Sequence, residues 1–315
     1  MKIAVVIPTY NRADMVCEAV DSALGQTAAP ARVIVVDDGS TDDTLARLSG
    51  YGDAITVVAQ ENAERGAARN AGAARAPDAD LVLFLDADDV MAPTHLEALT
   101  QLAEAHPEAS LVSTPSMLVD RDLKPIEKYG NSLPGPVALE DFLMGRESLP
   151  TLATAVRRKV FDSLGGFDER RDLSASEDWL LMAHALTFSP GRRGENATAL
   201  IRRHEGNSMA NARSMRQSML LAHQLFFDDV GRHAEGRPEA QGLSRGIRKS
   251  SKARLLINAA TGFYGIGEMS AARSTLLEAV RTDPGVIMGP MFHWTWVRSL
   301  LGRRLSGMLR DWKRR

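Results

Sequence analysis

The sequence is short of cysteine, since Cys17 is the only one among its 315 residues. A single thiol cannot form an intrachain disulfide, and it excludes a zinc site built from cysteines. One thiol without a disulfide is typical of a reducing compartment. Long apolar runs are also missing: none approaches the ~18 residues that a membrane span needs. Residues 3–7 are too short for a secretory signal and end at Pro8. We therefore expect a cytoplasmic protein.

An excess of charge of one sign is the third feature that the sequence lacks. Lys and Arg number 38 and Asp and Glu number 40, so the formal net charge is −2. This balance argues against a protein that binds nucleic acid. The charge is unevenly distributed, however. Residues 291–315 contain seven Lys or Arg and one Asp, a net charge of +6, so the other residues together carry −8.

The first 90 residues contain an alternation of strand and helix patterns. Short apolar runs at 3–7, 33–36 and 81–85, with a weaker one at 55–58, are typical of buried parallel strands. Helical patterns fall between them, and Asn11 is expected to cap the first helix. Such alternation predicts an α/β fold with a parallel sheet covered by helices on both faces. Ligands of these sheets bind at the carboxyl ends of the strands.

Polar residues gather directly after three of these strands, at 8–12, 37–40 and 86–89. In a parallel sheet all three segments lie along one edge, which brings five carboxylates together. Like charges repel at such distances unless a cation lies between them. A divalent cation bridging to a diphosphate would fill this place, since Mg²⁺ is usually held by one or two carboxylates together with substrate phosphates. Alternatively, these are simply the residue types from which turns are built.

Six short motifs occur in order along the chain. They are IPTYNR at 7–12, VDDGSTD at 36–42, RGAARNAG at 65–72, LDADD at 85–89, GGFDE at 165–169 and EDW at 177–179. With this set the sequence resembles the family 2 glycosyltransferases over roughly residues 3–209. The resemblance implies the GT-A fold, a Rossmann-like and mostly parallel sheet flanked by helices, in a domain at 1–210. It also implies an enzyme that transfers a sugar from a nucleotide-diphospho-sugar, most often a UDP-sugar.

The resemblance further implies a nucleotide site. The nucleobase pocket would be lined by Pro8, Thr9 and Tyr10, and Asp38 would accept a hydrogen bond from the base. Arg65 would face the nucleotide, and Asp86 would touch the ribose. Two alternatives stay open: Tyr10 could be a core residue, and Arg65 could be a solvated residue at a helix start. Arg69 and Asn70, from the same motif as Arg65, are expected to hold their helix to a turn.

A metal and a general base are implied in the same way. Asp88 would ligate Mg²⁺ or Mn²⁺, and His204 would lie near the metal and the diphosphate, although a lone His is more often not a ligand. Asp178 would take the proton of the acceptor hydroxyl, with Glu177 as the second candidate. One base and one displacement mean inversion at the anomeric carbon. Alternatively, carboxylates at this position cap a helix.

Two absent motifs narrow the function. No Gln-x-x-Arg-Trp follows residues 177–178, which disfavours a processive polysaccharide synthase. No glycine-rich loop follows the first strand, which disfavours a classical dinucleotide fold.

We expect the acceptor to be a hydroxyl of a saccharide or of a lipid-linked molecule, with specificity determined by loops and short strands at 115–150. The alternatives are a nucleotidyltransferase and a non-catalytic module that binds sugar nucleotides or proteins.

Residues 211–315 have helical patterns and predict a second, α-helical domain. Its middle part favours a helical hairpin packed on the catalytic domain over a protein-binding repeat. At its basic end an apolar stripe recurs at spacings of three and four residues: Trp294, Val297, Leu301, Leu305, Met308 and Trp312. Tryptophan together with Lys and Arg is typical of a helix at a membrane interface. The stripe therefore predicts either peripheral contact with the inner face of an anionic membrane or packing on the protein.

Overall fold

The four predicted strands form one parallel sheet in the computed structural model, which describes residues 1–130, 133–203, 212–232, 237–241 and 243–300. They are β1 (Ile3–Thr9), β2 (Arg32–Asp37), β3 (Thr56–Ala59) and β4 (Leu81–Phe84). Their order in the sheet is β3-β2-β1-β4. Every residue of β1 and β4 is buried, whereas β3 is an exposed edge strand. The strand predictions are therefore confirmed to within two residues at each end.

Helices cover both faces of this sheet, as the sequence predicts. They are α1 (Val16–Leu24), α2 (Thr44–Leu48) and α3 (Glu64–Ala73). Val16 of α1 belongs to one apolar core together with Val5, and Ala68 of α3 belongs to the other together with Val6. Neighbouring residues of β1 thus face opposite cores. Helix α3 lies so close to β1 that a Cβ on Gly72 would stand 2.3 Å from Val6 Cγ1.

The prediction that Asn11 caps the first helix is wrong. Helix α1 begins at Val16, and Met15 occupies its N-cap position without a side-chain hydrogen bond. Asn11 instead adopts a left-handed backbone conformation, with φ of 50°. Its Oδ1 accepts from the Thr41 amide at 2.8 Å, and its own amide donates to Ser40 Oγ at 2.9 Å. Asn tolerates this conformation and bonds readily to turn backbone, so it ties the turn after β1 to the turn after β2.

Short strands and helices continue the domain. They are β5 (Val90–Met91), α4 (His95–Ala105), β6 (Leu111–Ser113), β7 (Ser116–Val119), β8 (Pro125–Tyr129), β9 (Gly135–Val137), α5 (Leu139–Leu143), β10 (Thr154–Arg157), α6 (Arg158–Ser163), α7 (Glu177–Ala185), β11 (Gly191–Arg193) and β12 (Ala199–Arg202). The large sheet has the order β3-β2-β1-β4-β10-β6-β11-β9, and a smaller sheet has the order β5-β12-β7-β8. Strand β10 is antiparallel to both of its neighbours and β11 is antiparallel to β9. The other four strand pairs of the large sheet are parallel, so the predicted mostly parallel sheet is confirmed.

Three long helices follow: α8 (Ala212–Arg232), α9 (Arg245–Ile266) and α10 (Met269–Thr282). Helices α9 and α10 form a hairpin around Gly267, which has φ of 91°. Residues 290–300 are also helical, and Phe292 completes a small core with Leu256 and Leu276. Helix α8 contributes Phe226 to the main core, where it lies against Trp179 of α7. The predicted boundary at residue 210 lies outside the described residues and stays a prediction.

None of the helices in the described ranges is both long enough and apolar enough to cross a membrane.

Candidate active site

A cavity of about 350 Å³ opens at the carboxyl ends of β1, β2 and β4. This first cavity is lined by Pro8, Thr9, Tyr10, Arg12, Asp38, Asn62, Glu64, Arg65, Ala68, Asp86, Ala87 and Asp88. All six residues implied as nucleotide ligands therefore meet here, together with Asp88. Tyr10 is 47% exposed, so the alternative that it is a core residue is wrong.

Asp38 is held in place by groups from the segment that leads into α3. Its Oδ1 accepts from Gln60 Nε2 at 2.7 Å and from the Ala63 amide at 2.9 Å. The residue is buried, with only 4% of its surface exposed, yet it lines the first cavity. Both bonds converge on one carboxylate oxygen and fix the orientation of the carboxylate.

The centre of the site is an ion-pair cluster that the sequence interpretation missed. The guanidinium of Arg69, completely buried in α3, donates from Nη2 to Asp86 Oδ1 at 2.8 Å and from Nη1 to Glu177 Oε1 at 2.6 Å. It also lies over the Phe167 ring, 5.2 Å from its centroid. The ion pairs of Arg69 therefore join three of the six motifs, and its contact with Phe167 adds a fourth. Asn70 holds the helix to the turn through two hydrogen bonds with the backbone of Phe167.

A signal for Arg69 was available in the sequence. Arg69 falls among the small residues of α3 that pack on the sheet, and a charged side chain on such a buried helix face needs buried partners. The sequence predicts a cation between the five carboxylates, and arginines supply positive charge beside two of them, Asp86 and Asp88. Arg12 Nε lies 3.8 Å from Asp88 Oδ2, in addition to the contact between Arg69 and Asp86.

These contacts shift the acidity of the carboxyl groups in opposite directions. Burial favours the neutral form of Asp86, but the charges of Arg69 and Arg65 outweigh it, and the pKa of Asp86 lies below its usual value. Burial dominates at Glu177 and raises its pKa to about 7, although Arg69 opposes the shift. Burial and the neighbouring Asp86 and Asp88 raise the pKa of Asp89 well above its ordinary value.

The residues for a divalent cation are few. Within the described ranges, no three His, Cys, Asp or Glu side chains converge on one point. His204 lies outside those ranges. Asp88 lines the first cavity with its side chain 23% exposed, whereas Asp89 points elsewhere and accepts from the Arg202 amide at 2.7 Å. One carboxylate fits Mg²⁺ or Mn²⁺ if the diphosphate of a ligand supplies further oxygens, since Mg²⁺ favours such mixed shells.

A second cavity, of about 430 Å³, adjoins the first at Asp86, which lines both. Asp178 and Trp179 of α7, Tyr129 of β8 and Asp89 are among its other lining residues. Burial and the nearby Asp178 and Asp89 raise the pKa of Tyr129. The N-cap position of α7 belongs to Ser176, and Asp178 lies in the first turn, where its Oδ1 accepts from the Trp179 amide at 2.7 Å. Asp178 is therefore not the N-cap residue of α7, although its carboxylate does bind an amide of the first turn.

A model of the family described as Glycosyl transferase family 2 matches residues 4–163, half of the chain. The chain belongs to the family 2 glycosyltransferases. Among curated relatives, an uncharacterized glycosyltransferase of Nostoc is 33% identical over 179 residues, which cover 53% of this chain and 54% of the relative. The O-antigen chain rhamnosyltransferase RfbN of Salmonella typhimurium is 26% identical over 196 residues, 59% and 61% of the two chains. The chain thus spans between about half and two thirds of the lengths of these relatives.

Solved structures agree on the fold. TarS 1-349 of S. aureus in complex with UDP-GlcNAc superposes with a TM-score of 0.58 at 18% identity, over 92% of each chain. The mannosyltransferase PcManGT of Pyrobaculum calidifontis, in complex with GDP-Man and Mn²⁺, gives a TM-score of 0.54 at 17% identity, over 95% of this chain and 87% of the other. The α/β architecture of this glycosyltransferase is therefore the GT-A fold, with helices added at its C-terminal side.

Proposed function

We propose that this protein is an inverting glycosyltransferase that moves a sugar from a UDP-linked donor to a hydroxyl of a saccharide or lipid-linked acceptor. The observation that carries the proposal is the position of Asp86, which lines both cavities and shares Arg69 with the residue next to Asp178. A donor in the first cavity and an acceptor in the second would meet at this point. Proximity of two bound reactants removes much of the entropic cost of a bimolecular reaction.

The nucleotide would occupy the first cavity. The end of β1 at Pro8 and Thr9, with the Tyr10 ring, would offer an edge and a face to a flat base, and the second carboxylate oxygen of Asp38 would accept from uracil. Arg65 would face the diphosphate and Asp86 would touch the ribose. The low pKa of Asp86 supports this assignment, because the carboxylate stays ionised and accepts hydrogen bonds from ribose hydroxyls.

Asp88 would hold Mg²⁺ or Mn²⁺ against the diphosphate, with His204 as a further candidate ligand. A bound divalent cation stabilises negative charge on a leaving diphosphate as a Lewis acid. Arg12 beside Asp88 adds a fixed positive charge at the same edge of the first cavity. The complex of PcManGT with GDP-Man and Mn²⁺ supports this assignment by analogy of fold.

Asp178 would be the general base. It would take the proton of the acceptor hydroxyl as that oxygen forms a bond to the anomeric carbon, while the bond from this carbon to the diphosphate oxygen breaks and the nucleoside diphosphate departs. One displacement inverts the configuration. Glu177 is the weaker candidate because its carboxylate is 2% exposed and is bound to Arg69. Glu177 would instead position the start of α7, which carries Asp178.

The two alternative functions have less support. A nucleotidyltransferase would need a glycine-rich loop after β1, but the segment that follows β1, residues 10–14, contains no glycine, and Tyr10 and Arg12 from it line the first cavity. A non-catalytic module would not need both Asp88 and Asp178 at adjoining cavities.

The proposal can be tested by titrating the protein with UDP-, GDP- and dTDP-sugars in the presence of Mn²⁺. Calorimetry measures binding of the sugar nucleotide, and release of the nucleoside diphosphate measures turnover. We expect a UDP-sugar to bind most tightly and to turn over when a saccharide acceptor is added. Binding without turnover on any acceptor would favour the non-catalytic module. Release of inorganic diphosphate from UTP with a sugar phosphate would favour the nucleotidyltransferase.

We further propose that this cytoplasmic enzyme touches the inner face of an anionic membrane through the helix at 290–300 and the basic residues beyond it. Two residues of the predicted apolar stripe lie in the described ranges, and both point to solvent: Trp294 is 46% exposed and Val297 is 50% exposed. The same helix buries Thr295 and Ser299 instead. An outward tryptophan stacked with Arg298, whose guanidinium lies 3.6 Å from the ring centroid, suits a lipid interface.

A further inference from the structure

Helices of the C-terminal part close one side of the second cavity, although they lie outside the residues that match the family model. Met219 of α8 and three residues of α9, Arg254, Leu255 and Asn258, line this side. Residues three and four apart share one side of a helix, so Arg254, Leu255 and Asn258 face the second cavity together. Leu255 is buried, whereas Arg254 and Asn258 are exposed to the space between the helices and the catalytic domain.

The charge of Arg254 is not balanced by the acidic residues that line the same cavity. Asp86 is bound to Arg69, Glu147 to Arg193, and Asp89 to the backbone of Arg202. Among the described residues, Asp178 accepts from the Trp179 amide and forms no ion pair. Arg254 itself has no hydrogen bond or ion pair with any other residue of the described ranges. As far as the described residues go, the second cavity is therefore lined by a guanidinium whose five N–H donors have no protein partner and can bind a ligand.

The donor does not account for this cation. The first cavity has its own positive charges in Arg12 and Arg65, and Arg254 is not among its lining residues. A neutral saccharide would need hydroxyl and amide partners but no cation. A guanidinium, in contrast, matches phosphate and carboxylate groups with two parallel hydrogen bonds, and charged hydrogen bonds are roughly twice as strong as neutral ones.

We propose that α9 forms an acceptor subsite for an anionic group, a phosphate or a carboxylate carried by the acceptor, in which Arg254 binds the anion and Asn258 donates a further hydrogen bond. The inference rests on the proposed glycosyl transfer and deepens it by naming the acceptor class. The acceptor is a saccharide or lipid-linked molecule that carries negative charge near the hydroxyl to be glycosylated. Part of the acceptor specificity then comes from a helix rather than only from the loops at 115–150.

The test uses the full chain with saturating UDP and Mn²⁺, so that the second cavity alone is titrated. Three glucose derivatives serve as probes: methyl glucoside, methyl glucuronide and glucose 6-phosphate. Tryptophan fluorescence follows binding, since Trp179 lines the cavity. We expect the parent to bind at least one anionic probe about tenfold more tightly than the neutral one, as a charged hydrogen bond would give. The glucuronide and the phosphate distinguish the two sources of the anion.

Matched variants assign the preference to Arg254. Arg254→Gln should remove the preference for the anion, and Arg254→Lys should keep part of it. Lys249→Gln, which removes an exposed cation of the same helix that does not line the cavity, should leave it unchanged. Equal affinity for neutral and anionic probes overturns the inference, as does a preference that survives Arg254→Gln, or no binding of the anionic probes by protein that binds UDP. Failure to bind UDP would instead count against the proposed function.

Discussion

Arg69 Nη1 lies 2.6 Å from Glu177 Oε1, a contact between residues 108 positions apart that ties α3 to the first turn of α7. The second amino group of the same guanidinium binds Asp86, so the edge of the sheet and the start of α7 share one cation. In the described ranges, Arg69 Nε and Glu177 Oε2 are buried without a hydrogen-bond partner. The cluster is therefore held by the ion pairs, and the positions of Asp86 and Asp178 depend on it.

Arg69→Met should destabilise the fold strongly at pH 8, where Glu177 of the parent is ionised, because it leaves Glu177 as an uncompensated buried carboxylate. Breaking a buried ion pair on one side typically costs about 3–5 kcal/mol of unfolding free energy. The double variant Arg69→Met with Glu177→Met should cost less than the single variant, since it removes both charges. Denaturant unfolding measures the two effects, and Arg75→Met, an exposed arginine just beyond α3, is the control. A loss below about 1 kcal/mol for Arg69→Met, typical of exposed pairs, would contradict this account.

The pH dependence of stability should reveal Glu177. Because burial raises its pKa from 4.5 to about 7 despite Arg69, the folded protein binds more protons than the unfolded chain between these values. The free energy of unfolding therefore falls as the pH rises from 4.5 to 7, and the loss is complete above 7. Between pH 5 and pH 8, the free energy of unfolding of the parent should fall by about 1–3 kcal/mol more than that of Glu177→Gln. Parallel stability curves for the two proteins would show that Glu177 titrates normally.

Removal of the metal should weaken donor binding. Asp88 is the carboxylate that lines the first cavity near Arg12, and Mg²⁺ or Mn²⁺ would bridge it to the diphosphate. Calorimetry should show that EDTA and Asp88→Asn each lower the affinity for UDP, and that the two effects do not add. Asp53→Asn, an exposed carboxylate remote from this cavity, should change nothing. UDP binding that is insensitive to EDTA would remove the metal from the proposal.

Membrane contact should depend on both the outward apolar residues and salt. Trp294→Ala combined with Val297→Ser should reduce sedimentation with vesicles of phosphatidylglycerol and phosphatidylcholine, and the parent should not sediment with phosphatidylcholine alone. Leu277→Ser, which alters an exposed leucine of α10, is the control. Added salt should release the protein, since the Debye length is only ~8 Å at physiological ionic strength. Equal sedimentation with both kinds of vesicle would contradict an anionic target.

Much of the site was predictable because its residues lie at the carboxyl ends of parallel strands, and these ends meet at the same edge of the sheet. The segments at 8–12, 37–40 and 86–89 reach one edge of the sheet as soon as the strands pair in parallel, so Tyr10, Asp38, Asp86 and Asp88 line one cavity. Tyr129 and Arg254 were not predictable in this way. Each reaches the second cavity through tertiary packing of a short hairpin or a distant helix, and neither lies in a recognisable motif.

Two local errors have physical explanations. Asn11 was expected to cap a helix because Asn favours that position, but the side chain bonds to the neighbouring turn at Thr41 instead. Both uses satisfy backbone amides, and only the tertiary structure decides between them. Arg69 is expected from the sequence to hold its helix to a turn, and its ion pair with Glu177 is not predicted because the two residues lie 108 positions apart.

The role of Asp178 as general base is the central claim, and its most direct test separates binding from chemistry. Asp178→Asn keeps the size of the side chain but cannot take the acceptor proton. Positioned general bases contribute typically ~10²–10⁴-fold to a rate, so kcat for sugar transfer should fall by about that factor while the Kd for UDP stays unchanged. Glu177→Gln, which keeps the hydrogen bond to Arg69, should lose far less. Transfer by Asp178→Asn at nearly the parent rate, or a loss of UDP affinity as large as that of Asp88→Asn, would contradict the account.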